Sequence, residues 1–271
     1  MNGVFAAVSI ALGLAYLALA VIAIIEVAQA RRTRGVSRFG LAYVGMAMSC
    51  GPHHILHGTE ALQGFNANWP MVASVLVGAP AGVIFVGLRI EAMAGGRGDR
   101  HIRGTPGLLM LGAVAFCFAA GVLVTVAASD FGGGHAPSLL AVAPNLFVTV
   151  TYSIVGVLLL RTQALRRVAL GGWSLSGLSL GAIFPSCALM HLVYALSARG
   201  DLTICPVDVF GVPASAYFLW VVHRLYKQSM VDWNRRPIVG APTRAPRAAP
   251  WAKRGEPLEE LLAIPATPGG M

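Results

Sequence analysis

Charge is scarce in this chain. Only 11% of its 271 residues are charged, against 56% hydrophobic, and the mean hydropathy is +0.70. So little charge excludes a soluble globular domain and points to a polytopic membrane protein. Cysteine is scarce too: four, too few and too scattered for a disulfide framework or paired zinc knuckles. Lysine is confined to Lys227 and Lys253. The formal charge of +9 would suit nucleic acid only if a separate soluble basic domain carried it. The basic residues fall instead in alternate loops and in the tail, so the expected partner is the lipid bilayer and nucleic acid is not one.

What the chain does have is seven apolar runs, each of roughly 20 residues or more and so long enough to span. They lie near 4–29, 39–62, 70–90, 106–128, 137–160, 173–197 and 205–227. Arg31, Arg32, Arg34 and Arg38 follow the first run; the loop from Gly64 to Trp69 has no Lys or Arg. The third loop holds Arg89, Arg97, Arg100 and Arg103, and the fourth, around Asp130 to Ser138, again holds none. Arg161, Arg166 and Arg167 fill the fifth, the sixth has Arg199 beside Asp201, and Arg224 and Lys227 close the seventh run. The alternation predicts an all-α, seven-span plasma-membrane protein with its N-terminus outside and its C-terminus cytoplasmic. The first run reads as a retained helix, because Met1-Asn2-Gly3 lacks the positive charge of a signal peptide. Residues 1–230 form the expected transmembrane domain, and 231–271, rich in Pro and Arg, an expected disordered cytoplasmic tail. Gly78 with Gly82, and Gly177 with Gly181, have the spacing that lets helices approach closely.

Within the second run stands Ser49-Cys50-Gly51-Pro52-His53-His54-Ile55-Leu56-His57-Gly58-Thr59-Glu60. At about 100° per residue, Cys50, His53, His54 and His57 share one helix face, with Glu60 at its margin. Counting about 1.5 Å per residue from the predicted span ends brings Cys187 and His191 of the sixth run to a similar height. Cys205 and Asp208, in the first turn of the seventh, lie at the height of Glu60. All belong to the outer third of the membrane, and His135 in the outer loop could hang over them. The inner half has few comparable groups. Glu26 is expected to snorkel or pair with Arg31 and Arg32, His101 sits in a basic inner loop, and Cys117 reads as a small core residue.

His53 and His57 are an i, i+4 pair, a spacing that lets two imidazoles reach one metal. His54, His191 or Cys187 could add ligands, while Asp208 and Glu60 serve as acid/base groups or orient an imidazole through its second nitrogen. Such donors suit zinc or copper. A zinc with an open position would activate water for hydrolysis of a lipid-like or small-molecule substrate. A haem held by His54 or His57 opposite His191 would make an electron-transfer protein. A metal-free transporter or receptor would use the same residues as a proton relay or ligand pocket. Against all of these stands a plain structural role, histidines that hydrogen-bond between helices and hold the bundle together.

Resemblances to known families stop short. The seven spans resemble the microbial rhodopsins, yet both lysines lie outside the spans, which leaves no site for a retinal Schiff base. Ser49 with His53 resembles the Ser-x-x-x-His of alkaline ceramidases and adiponectin-receptor-like hydrolases, whose His-x-x-x-His on the last helix is missing here. His53-His54-Ile55-Leu56-His57 resembles one histidine box of the membrane desaturases, which need several.

Overall fold

The computed structural model describes residues 1–64, 69–128, 139–168, 171–197 and 206–227. Without water, a backbone must pair its own N–H and C=O groups, and helix is the local way to do so. Long helices duly occupy the apolar runs: α1 (Asn2–Arg34), α2 (Arg38–Leu62), α3 (Trp69–Met93), α4 (Thr105–Ala128), α5 (Leu139–Arg166), α6 (Leu175–Ser197) and α7 (Pro206–Lys227). Two short strands, β1 (His101–Ile102) and β2 (Trp173–Ser174), pair antiparallel. Prolines 52, 80, 144, 185 and 213 stand inside continuous helices.

Helices α1, α3, α4, α5 and α6 contain stretches long and apolar enough to cross a membrane. α2 and α7 are long enough, at 25 and 22 residues, but too polar to join them. The residues that dilute them are Arg38, three histidines and Glu60 in α2, and Asp208, His223, Arg224 and Lys227 in α7.

Packing closes a ring. α1 meets α2 and α3, α2 meets α7, α7 meets α5, α5 meets α6, and α6 returns to α3; α4 lies outside against α6 and α3. The apolar stretch of α6 is 94% buried and that of α4 only 12%, so α6 belongs to the interior and α4 to the periphery. Leu108, Leu109, Phe116 and Leu123 of α4 are exposed, which suits lipid contact better than water. The ring is filled by Tyr16, Met46, Phe85, Tyr152, Phe184 and Phe218.

Two contacts set the helices that matter most. A Cβ on Gly13 of α1 would fall 2.7 Å from the carbonyl oxygen of Gly51 in α2. That close approach turns the Cys50, His53, His54 and His57 face of α2 into the bundle. At the other end Asp99 organises the start of α6. One of its oxygens accepts from the Ser176 N–H at 2.8 Å, the other from the Ser174 hydroxyl at 2.7 Å, and Ser174 Oγ caps the Gly177 N–H at 2.9 Å. The expected glycine contacts are divided among partners: Gly78 faces Ser186 of α6 and Gly82 faces Leu12 of α1, whereas Gly177 and Gly181 both face α5.

Glu26 corrects one expectation. It pairs with Arg89 of α3. Arg31 and Arg32 follow at i+5 and i+6, off its helix face, so a neighbouring helix supplies the cation.

Candidate metal centre

The sequence of α2 puts three imidazoles on an inward face, and each is held through one nitrogen. His53 Nδ1 lies 2.7 Å from Asp208 Oδ1 of α7. His57 Nδ1 lies 2.6 Å from Glu60 Oε2, three residues on. His54 faces α1 instead, with Ser9 Oγ 3.5 Å from its Nδ1 and the Tyr16 ring 5.4 Å away. From α6 comes His191, whose Nδ1 is 2.6 Å from Asn145 Oδ1 of α5. Asn145 then donates from Nδ2 to Asp208 Oδ2 at 2.9 Å. Four helices thus contribute to one chain of bonds: His53, Asp208, Asn145, His191.

Donor and acceptor chemistry fixes the direction of that chain. A carboxylate only accepts, so Asp208 draws a proton-bearing Nδ1 from His53 and an N–H from Asn145. The amide oxygen of Asn145 is then left facing His191, and it too accepts from Nδ1–H. Glu60 does the same for His57. Neutral His53, His57 and His191 therefore each carry the proton on Nδ1 and present a lone pair at Nε2. The Nε2 atoms of His53, His54 and His57 are buried and lack a hydrogen-bond partner. Buried polar atoms seldom go unpaired, and such an atom asks for an explanation.

The rings gather tightly. His53 stacks on His191 at 4.3 Å between centroids and meets His57 edge-on, also at 4.3 Å. Tyr194 stacks on His57 at 3.6 Å. One donor atom each from His53, His191 and Asp208 all lie within 4.8 Å of one another, and the three residues are buried. A buried His/His/Asp group of this kind could hold a metal ion. Carboxylate or amide partners on the second nitrogen are what metal-binding histidines usually have.

The remaining candidates divide. His57 stands beside the group and Glu60, its side chain 40% exposed, at the rim. Cys187 lies one turn from His191, 3.4 Å from the Tyr16 hydroxyl and next to His54. His135, Cys205 and the tail from 231 lie outside the described residues, as does the side chain of Cys117. Sequence reasoning missed Asn145, Tyr194, Tyr16 and Tyr152. An amide within an apolar helix was the available signal for Asn145; the tyrosines looked like core.

Fold and site together define a mostly helical protein with five helices long and apolar enough to cross a membrane and a buried His/His/Asp group that could hold a metal ion. No protein-family model, curated protein or solved structure matches the chain.

Proposed function

We propose that this is a seven-span plasma-membrane protein, N-terminus outside and C-terminus cytoplasmic, that binds a zinc or copper ion close to its outer face. The single observation that carries the metal reading is the set of buried Nε2 atoms without partners on imidazoles whose Nδ1 atoms are anchored. A bundle that used histidine only as interhelical glue would satisfy both nitrogens. His53 and His191 are the principal ligands, His57 the nearest further imidazole, and Asp208, Asn145 and Glu60 the groups that aim them. α2 and α7 count as spans because they complete the ring and turn His53, His54, His57 and Asp208 inward, while the exposed Arg38, His223 and Arg224 lie near helix ends. The arginine alternation supports the orientation, and the pairing of β1 with β2 supports it further by joining two loops assigned to the same side.

Imidazole and carboxylate donors suit zinc or copper. Zinc there would supply Lewis-acid hydrolysis of a lipid-like substrate, and copper would supply electron transfer or metal handling. A single ion is favoured over haem because the His53 ring sits 4.3 Å from both His57 and His191, where a porphyrin between those two would have to go.

A second reading has one observation of its own. The titratable members of the cluster, His53 with Asp208 and His57 with Glu60, can each bind and release a proton, as a metal-free transporter or receptor would use. Metal analysis and an absorption spectrum of detergent-purified full-length protein separate the two. About one zinc or copper per chain is the expected result. Metal at background, with no haem absorption, overturns the metal reading and leaves the metal-free transporter or receptor.

A further inference from the structure

We propose that Arg38 and Arg224, gathered on the Trp220 ring, form a site for the headgroup phosphate of an anionic phospholipid at the seam between α2 and α7. The site needs α2 and α7 to span the membrane, as the proposed function has them, but it needs no metal, so the two can fail separately.

Spacing on α7 builds one half of it. Tyr217, Trp220 and Arg224 follow one another at i, i+3 and i+7, so they share a helix face. Tyr217 stacks on Trp220 at 5.7 Å between centroids, with the ring planes 22° apart, which holds the indole in place. Arg224 lays its guanidinium over that indole, 5.2 Å from the ring centroid. The other half comes from Arg38, the first residue of α2, whose guanidinium lies 5.8 Å from the same centroid. α2 packs against α7, and Trp220 stands about two turns before the end of α7. An indole face attracts a cation, but a second cation gains that attraction only by approaching a like charge.

What this pair lacks is an anion. Among the described residues neither guanidinium has a carboxylate partner, whereas Arg89 is answered by Glu26 and Arg100 by Glu91, the latter at 3.1 Å. Two like charges on one ring therefore call for a negative charge from outside the chain. Trp220 and Tyr217 are 42% and 37% exposed, so the rings beneath the cations face outward, and lipid is what a spanning helix meets there. Guanidinium groups present forked N–H donors that match the oxygens of a phosphate. On the proposed topology this is the cytoplasmic end, whose leaflet carries the anionic lipids. A choline headgroup brings its own cation to its phosphate; a headgroup without one leaves that charge for Arg38 and Arg224.

The test uses the full chain in detergent, with lipid binding read by native mass spectrometry. Phosphatidylglycerol is the probe, and phosphatidylcholine with the same acyl chains is the comparison. The expected result is a wild-type preference of at least about tenfold for phosphatidylglycerol. Arg38→Gln and Arg224→Gln should each weaken its binding about fivefold, the effect of one arginine near a lipid surface, and the double variant should erase the preference. Arg100→Gln removes the same charge from an arginine that Glu91 already answers, and it should leave the preference unchanged. Soluble glycerol phosphate should not compete. Equal binding of the two lipids, or an equal loss in Arg100→Gln, overturns the proposal. Displacement by glycerol phosphate overturns it too, in favour of a soluble phosphate ligand. The wild-type comparison decides even where an arginine variant fails to fold, and metal content of the same samples reports separately on the imidazole centre.

Discussion

Two buried polar clusters are held by different helices of the bundle, one by α1 and α3 and the other by α2, α5, α6 and α7, and they are built on different principles. Glu26 of α1 and Arg89 of α3 face one another as a carboxylate and a guanidinium, so each charge is answered. In the imidazole cluster Asp208 brings one charge to His53 and Asn145, and the Nε2 atoms of His53 and His57 are left without a hydrogen-bond partner. The cavity bordered by Leu19, Tyr43, Glu26 and Arg89 lies beside the ion pair, away from the imidazoles. Burial and cavities therefore do not by themselves locate chemistry in this bundle. Unused bonding capacity does. The ion pair links α1 to α3, whereas the imidazole cluster includes buried Nε2 atoms with no hydrogen-bond partner.

The largest effect should come from emptying the open cluster. His53→Ala combined with His191→Ala is expected to reduce metal from about one ion per chain to background, measured by elemental analysis of the purified protein. Arg89→Met should do the reverse. Removing one partner of a buried pair costs about 3–5 kcal/mol of stability. Thermal unfolding should register that loss while metal content stays at the wild-type value. Adding Glu26→Gln to Arg89→Met should restore much of the stability. An Arg89→Met protein that folds normally yet loses its metal would erase the distinction between the two clusters.

How much of this could be read from the chain alone follows from dimensionality. Apolar runs and the rise per residue are one-dimensional quantities, so helix positions and the common height of His53, His191 and Asp208 are legible. Azimuth between helices is not. His53 and His54 are about 100° apart on α2; one turns to α6 and α7, the other to α1, and sequence treats them alike. Asn145 is decisive because α5 happens to face both α6 and α7, and Tyr194 because it lies on His57. Neither relation has a spacing signature. Gly13 opposite Gly51 likewise belongs to two helices at once.

A smaller effect should come from Asp208→Asn. The carboxylate accepts from His53 and from Asn145 simultaneously. An amide has one accepting oxygen, so one of those two donors must lose its acceptor or the Asn145 amide must flip. A flip presents N–H to the Nδ1–H of His191 and forces that imidazole into the other tautomer, with its lone pair turned away from the centre. Metal affinity is expected to fall about 10–100-fold with the helical content unchanged. A competitive zinc titration measures it. An affinity equal to wild type would mean that Asp208 does not orient His53.

The smallest effect should come from Glu60→Gln, and it tests the order of importance within the cluster. Glu60 is 40% exposed at its side chain, whereas that of Asp208 is 11% exposed, so water screens much of its charge. A glutamine also keeps an oxygen for the Nδ1–H of His57, and no second donor competes for it as Asn145 does at position 208. The loss of metal affinity should therefore be about threefold or less in the same titration. A loss as large as that of Asp208→Asn would show that His57, and not the His53–His191 pair, is the principal ligand. The centre would then sit one turn nearer the outer rim, with Glu60 as its main orienting group.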